Sequence, residues 1–189
     1  MSQAIGLKEW AVAVEALKRG EQILIMRKGG IREETRDFQV ESDCFFLYPT
    51  YEHQRKELVK SHHSSRVEEL ERGWNPQQDE IELSVYAELV EDILIHTQEE
   101  LDKLGGCHIW TDHFAEERLK WKRTKPLHLM LLRIYELDEP VKVPILPEYN
   151  GCKSWIRLPD ELTEAPRRAV MSEERFQEEL AAVKVALNG

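Results

Sequence analysis

The chain has 189 residues, which is the usual size of one domain. A chain of this length buries about 70% of its unfolded surface, so it needs neither disulfides nor a structural metal to fold. Hydrophobic residues make up 41% of the composition and charged residues 33%, which excludes an intrinsically disordered chain. The net charge of −10 disfavours long-range attraction to nucleic acid or anionic membranes, but it leaves room for a local basic site.

The composition also predicts a cytoplasmic protein with no membrane contact. No apolar run reaches the ~18 residues of a membrane span, and residues 1–6 lack the basic and apolar regions of a secretory signal. Three cysteines without a CxxC motif are typical of a reducing compartment. Cys107 and His108 are adjacent on a predicted strand and therefore point to opposite faces, so we predict no metal site.

The first elements in chain order are a helix and a strand. Residues 7–19 have apolar side chains at helical spacing and end at Gly20, which predicts a helix. The apolar run 22–26 predicts a buried strand, and the Gly29-Gly30 turn ends it.

The next segment predicts a strand, a helix and a loop. Residues 38–48 favour a strand that Pro49 stops, and Thr50 is placed to cap a helix that reaches about residue 60. Residues 61–78 are polar and rich in turn-forming residues, so we predict a mobile loop there, with a turn of helix over 67–72 as an alternative within it.

The central part has the clearest local signals. Apolar residues alternate over 81–95 with one break, which predicts either one long strand with a bulge or two strands. Thr97 and Glu100 form a capping box at the start of a short helix. A brief strand is predicted over 107–110, and Thr111 caps a helix that ends near Trp121.

The last third predicts two more strands and a helix. Residues 127–137 are apolar on both faces, as in a central strand, and the prolines of 138–150 favour an extended connector. Another strand is predicted over 154–158, and Ser172 caps an amphipathic helix within the C-terminal segment 165–189. The element order predicts one α+β domain over residues 1–189, a mixed β-sheet flanked by helices with a C-terminal amphipathic helix.

A glycine turn and a basic run are the first candidate ligand-binding residues. Arg27-Lys28-Gly29-Gly30 follows a buried strand, and backbone N–H groups beside two cations can hold a phosphate. A hairpin turn with surface charges explains the same residues. Arg118 opens a run of bases to Lys125 that contains no acid, whereas residues 79–102 contain nine acids and no lysine or arginine. This asymmetry taken alone favours two solvated faces of opposite charge over an anion-binding surface.

Arg133 and two tryptophans complete the candidate set. Arg133 lies inside the apolar central strand, where a guanidinium needs either a carboxylate or an anionic ligand. Trp121 and Trp155 both have basic neighbours, and aromatic rings beside cations are typical of single-strand binding. A tryptophan that anchors the core has the same appearance in sequence.

The carboxylates suggest an enzyme as one alternative. A metal-dependent nuclease of the PD-(D/E)XK kind needs an Asp/Glu-x-Lys triplet, and the chain has none. Glu15, Asp37 and Glu52 are the remaining carboxylate candidates, and Glu52 with His53 is a candidate polar cleft. The sequence names no catalytic residue or cofactor and leaves enzymatic activity open.

Three segments together resemble a known family. They run from Glu9-Trp10-Ala11-Val12 to Arg27-Lys28-Gly29-Gly30-Ile31, over Phe46–Gln54 and over Tyr149–Trp155. Across residues 7–160 the chain resembles the bacterial family of domain of unknown function 1802. The resemblance implies a bacterial cytoplasmic protein, and it implies no activity, cofactor or catalytic residue.

The sequence favours a binding module for a phosphate-bearing ligand, either nucleic acid or a nucleotide. Its site would combine Arg27, Lys28, Arg118 and Arg133 with Trp121 or Trp155 as a stacking surface. The alternatives are the metal-dependent phosphodiesterase and a non-enzymatic module whose acidic stretch meets a basic protein partner. Convergence of Arg27, Glu52, His53 and Arg133 in space would separate these hypotheses.

Overall fold

The computed structural model of the chain describes residues 3–28, 38–121, 125–151 and 153–189. Within these ranges seven strands and five α-helices follow one another along the chain. They are β1 (Ile5–Trp10), α1 (Ala11–Lys18), β2 (Leu24–Arg27), β3 (Cys44–Thr50), α2 (Ser61–Arg72), β4 (Glu80–Ile95), α3 (Gln98–Asp102), α4 (Asp112–Lys120), β5 (Leu127–Pro144), β6 (Trp155–Arg157), β7 (Arg167–Ala169) and α5 (Glu173–Asn188). None of the helices in these ranges is both long and apolar enough to cross a membrane.

The strands form one mixed sheet in the order β2-β5-β4-β3-β1-β6, and β7 also pairs with β5. β1 runs parallel to β3, whereas the other pairs are antiparallel. The longest ladder joins β4 to β5, from Glu80 opposite Pro144 to Ile95 opposite Leu127. The prediction of an α+β domain with a mixed sheet and a C-terminal helix is confirmed.

The two ends of this sheet come together at Arg27, the last residue of β2. Its guanidinium donates to the Lys8 carbonyl of β1 at 2.9 Å and to the Ser154 hydroxyl beside β6 at 2.8 Å. β2 and β6 are the end strands of the sheet path. The sheet therefore curls until one arginine spans its two edges.

Apolar side chains are buried on both faces of the sheet. Phe45 belongs to the larger cluster, which includes Leu17 of α1, Leu129 of β5 and Phe176 of α5. Its neighbour Phe46 belongs to the smaller cluster, because successive side chains of a strand point to opposite faces. β3 is therefore covered on both sides.

The N-terminal helix begins later than its apolar spacing predicts. Residues 5–10 form β1, and the helix starts only at Ala11. Parallel pairing with β3 decides the conformation of these six residues, and that long-range contact overrides the local pattern. The predicted stop at Pro49 is also wrong, since β3 continues to Thr50. Its pairing with β4 covers residues 44–46 only, and an unpaired strand edge tolerates proline.

Two further predictions fail between residues 50 and 78. The predicted helix over 50–60 is only a 3₁₀ turn, Lys56–Leu58. The predicted loop over 61–78 contains α2, Ser61–Arg72, which includes the alternative helical turn at 67–72 but starts six residues earlier. This helix buries only His63 and Val67. Because α2 buries so few side chains, its sequence has almost no apolar residues at helical spacing, and the helix cannot be predicted from that pattern.

The C-terminal half follows its local signals more closely. β4 carries register shifts between Leu83 and Val85 and between Leu89 and Glu91, as the broken alternation predicts. The capping box at α3 is confirmed, since Thr97 accepts from the Glu100 amide at 3.2 Å and its own amide donates to the Glu100 carboxylate.

Three boundaries differ in this half. The predicted strand over 107–110 is reduced to an isolated bridge between Val59 and Trp110. β5 continues through the prolines to Pro144, so the predicted connector begins too early. Ser172 caps α5 as predicted, but residues 167–169 of the C-terminal segment form β7.

We predict that stability falls in acid because of His108. This side chain is 5% exposed, and burial, reinforced by the charge of Lys60, lowers its pKa from 6.5 to about 4. Below pH 6.5 the His108 imidazole is protonated in the unfolded chain but stays neutral in the folded chain. The free energy of unfolding therefore decreases as the pH falls from 6.5 towards 4. The full effect is about 3 kcal/mol.

Urea unfolding of wild type and His108→Leu between pH 7 and pH 4.5 measures this effect. The variant should lose most of the pH dependence and keep a smaller slope from His63, whose pKa burial also lowers. Equal slopes in both proteins would contradict the assignment to His108.

Candidate anion-binding site

Charged side chains gather where the end strands of the sheet meet. We name this cluster the closure site and define it by Glu9, Arg27, Phe38, Arg118 and Ser154. The five residues come from β1, β2, the segment before β3, α4 and the residue before β6. The curling of the sheet brings the strand residues together, and the bond from Lys28 to the Leu119 carbonyl holds α4, which carries Arg118, beside them.

Arg27 is the fixed part of the closure site. Besides its bonds to Lys8 and Ser154, its guanidinium lies 3.4 Å from the Glu9 carboxylate and 5.5 Å from the centre of the Phe38 ring. Its side chain is 16% exposed. These contacts hold the guanidinium in one orientation, with an aromatic ring against it.

Glu9 is the carboxylate of the site, and it is only 6% exposed. One of its oxygens accepts from the Trp10 amide at 2.8 Å, directly before α1. The Gln54 side chain accepts from the Val12 amide at 2.7 Å in the first turn of the same helix. Side-chain oxygens therefore accept from two backbone N–H groups at the start of α1. The partial positive charge of this helix end stabilises the Glu9 carboxylate.

Arg118 brings a second guanidinium from α4. Thr111 caps this helix through the Phe114 amide, and the buried Lys28 ammonium donates to the Leu119 carbonyl in its last turn. Lys28 therefore ties the end of α4 to the end of β2. Its own pKa is lowered by burial.

The Arg118 guanidinium lies over the Phe114 ring at 5.0 Å. Burial and then the nearby charge of Arg27 lower its pKa, whereas Glu9 and Glu117 act in the opposite direction. Within the described ranges no hydrogen bond or ion pair reaches this guanidinium. Two guanidinium groups thus lie near one buried carboxylate that pairs with Arg27 only, and since arginine stays charged, the arrangement favours binding of an anion.

A histidine and an aspartate beside Arg27 were missed by the sequence analysis. His128 of β5 is the cross-strand partner of Arg27, and its Nδ1 lies 2.7 Å from an Asp92 oxygen on β4. The Phe38 ring meets the imidazole edge-on at 5.2 Å. This hydrogen bond orients the ring, but only the register of three strands brings the residues together.

The two candidate tryptophans have different environments. Trp155 donates its Nε1–H to the Gln39 carbonyl at 2.8 Å, stacks on Phe38 at 6.0 Å and meets Phe45 edge-on at 5.1 Å. These contacts agree with the alternative interpretation of the sequence, in which Trp155 anchors the hydrophobic core. Trp121 is 41% exposed at the end of α4, three residues after Arg118.

Arg133 lies outside the closure site. It is an odd number of positions from His128 along β5, so the two side chains point to opposite faces. Its guanidinium pairs with Glu173 and lies 4.7 Å above the Phe176 ring of α5. The ion-pair alternative of the sequence analysis therefore describes Arg133, which fastens the C-terminal helix to the sheet.

The other sequence candidates are not assembled with Arg27. Glu52 and His53 are exposed in the turn after β3, and in the described part of the chain no hydrogen bond or ion pair joins them to Arg27. Glu15 pairs with Arg19 on α1. Gly29, Gly30 and Asp37 lie outside the described residues. Among the residues described, no three His, Cys, Asp or Glu side chains form a group that could hold a metal ion.

Comparison with known proteins gives the family. The model of the family Domain of unknown function (DUF1802) matches residues 6–182. The chain belongs to the DUF1802 family. The resemblance read from the sequence is thereby confirmed, and it extends into α5.

The comparison with curated proteins gives no match. Among solved structures, the ASCH protein from Zymomonas mobilis is similar at 13% identity and a TM-score of 0.47, covering 86% of this chain and 92% of that one. A single-residue mutant of the same protein gives 12% identity and a TM-score of 0.48 at the same coverage.

We predict that Arg27→Met destabilises the protein by an amount on the order of 3 kcal/mol, because it leaves the buried Glu9 carboxylate without its closest cation. Adding Glu9→Gln should recover part of this loss. The control Arg19→Met removes an exposed ion pair and should cost a few tenths of a kcal/mol. Urea unfolding measures all four proteins, and equal effects of Arg27→Met and Arg19→Met would contradict the role of Arg27 in closing the sheet.

Proposed function

We propose that this DUF1802 protein is a binding module for a phosphate-bearing ligand, nucleic acid or nucleotide, and that the closure site holds a phosphate. The observation that carries the proposal is the half-buried guanidinium of Arg118, which none of the described residues hydrogen-bonds or pairs with and whose pKa is lowered by burial and by the charge of Arg27. A phosphate between them would offset the repulsion of the two cations. Guanidinium groups match phosphate oxygens with paired hydrogen bonds, which favours phosphate over a spherical anion.

Trp121 supports a ligand that carries a base as well as a phosphate. It lies three residues beyond Arg118, where an exposed ring can stack on a base while the guanidinium holds the adjoining phosphate. Trp155 suits this role less well, since Phe38 and Phe45 already pack against it.

The net charge of −10 restricts the kind of ligand. It repels a long polyanion at a distance, so affinity must come from a few short-range contacts at the closure site. A nucleotide or a short single-stranded segment fits this balance better than an extended duplex does.

We predict that Arg118→Gln weakens binding of a single-stranded oligonucleotide about tenfold or more and reduces the salt slope by about one counterion. Arg72→Gln, the same charge change on the exposed face of α2, is the matched control and should leave both quantities nearly unchanged. Fluorescence anisotropy with labelled single- and double-stranded oligonucleotides at several salt concentrations measures both. Equal losses in the two variants, or no binding by wild type at low salt, would contradict the proposal.

We predict that Trp121→Ala separates base stacking from phosphate binding. Loss of one stacked base should weaken oligonucleotide binding by between about 5- and 150-fold. Binding of inorganic pyrophosphate, measured by calorimetry, should stay the same because the arginines are untouched. An unchanged affinity for the oligonucleotide would remove Trp121 from the site.

A further inference from the structure

The far end of β5 carries a groove that takes no part in the closure site. It has a volume of about 750 Å³ and lies between residues 138–144 of β5 and residues 159–166, which include a 3₁₀ helix, Asp160–Glu164. Its position at the other end of the strand from His128 makes it a separate surface. We name it the acidic groove.

The floor of the acidic groove is apolar. Val143 and Leu162 belong to the smaller hydrophobic cluster and are 2% and 4% exposed, and the half-buried Val141 packs against the same cluster. Pro144 and Pro159 also line it. Aliphatic side chains of a ligand would therefore find apolar contacts here.

The rim of the acidic groove is negatively charged. Asp138, Glu139, Glu161 and Glu164 line it, and Lys142 is the single base among its described lining residues. Asp138 lies 3.7 Å from Arg168. The other three carboxylates are exposed and form no ion pair within the described ranges.

Backbone chemistry adds to this preference. Three lining residues, Pro144, Pro159 and Pro166, have no backbone N–H to donate, and the carbonyls of Pro159 and Pro166 already accept from the Leu162 and Asp138 amides. β7 pairs with β5 only at residues 135–137, and beyond them β4 is the described strand partner of β5. The groove is thus poor in backbone hydrogen-bond donors, and it runs beside a strand edge.

We propose that the acidic groove binds an extended segment of a partner protein in which lysine or arginine alternates with aliphatic residues. The cations of such a segment face the exposed carboxylates of Glu139, Glu161 and Glu164, and its aliphatic side chains fill the apolar floor. An extended chain fits a surface that follows a strand edge. The acidic rim disfavours nucleic acid and acidic peptides in the same place.

Labelled peptides of about twelve residues test the proposal. The probe alternates Lys with Val, and two comparators alternate Lys with Ser and Glu with Val. We expect the Lys–Val peptide to bind at least about tenfold more tightly than either comparator, because only this peptide satisfies both the rim and the floor. Amide shifts in a ¹H–¹⁵N spectrum should concentrate at residues 138–144 and 159–166.

Charge variants supply the matched control. Glu139→Gln/Glu161→Gln/Glu164→Gln should weaken Lys–Val binding about tenfold, whereas Glu71→Gln/Glu174→Gln/Glu178→Gln, an equal change on exposed helix surfaces, should not. Near-UV circular dichroism verifies that both triple variants fold. The proposal would be overturned if the Lys–Val peptide did not bind at low salt, or if the two triple variants lost equal affinity. It would also be overturned if two copies of the protein associated and the peptide did not compete with that association.

Discussion

The curled sheet depends on Arg27. Among the described residues no ladder joins β2 to β6, the two end strands of the path, so side-chain hydrogen bonds hold these edges together. Arg27 does so through the Lys8 carbonyl and the Ser154 hydroxyl, and its charge is offset by the buried Glu9. The residue that closes the sheet therefore also supplies the cation from which the closure site is built, which couples the stability of the fold to the electrostatics of the site.

Local signals in the sequence predict the parts of the fold that depend on neighbouring residues. The capping residues Thr97 and Ser172 and the bulged alternation of β4 lie where the sequence places them. β1 and α2 could not be predicted in this way. Parallel pairing with a distant strand fixes β1, and α2 buries two side chains only.

The candidate site also contains residues that the sequence identifies and contacts that only the fold creates. Arg27 and Arg118 stand out in the sequence as bases near buried elements, but they are 91 positions apart. Their approach depends on tertiary contacts such as the bond from Lys28 to the end of α4 and the ring contact between Trp10 and Phe114. Arg133 is an equally suitable anion-binding residue in the sequence, but in the fold its guanidinium pairs with Glu173. The pair of Asp92 and His128 depends on strand register, which a single sequence does not contain. The net charge does not predict where a charged ligand binds. Arg27 lies beside the start of β5, whereas four carboxylates line the acidic groove at its other end.

The most direct measurement of the central claim is the ¹H–¹⁵N spectrum of the arginine Nε–Hε groups during titration with a short single-stranded oligonucleotide, with the Arg118 signal assigned from the Arg118→Gln variant. If the closure site holds the phosphate, the Arg27 and Arg118 signals shift together and saturate with one binding constant. If both signals stay in place while the oligonucleotide binds and other arginines respond, the phosphate is held elsewhere and the closure site serves only to close the sheet.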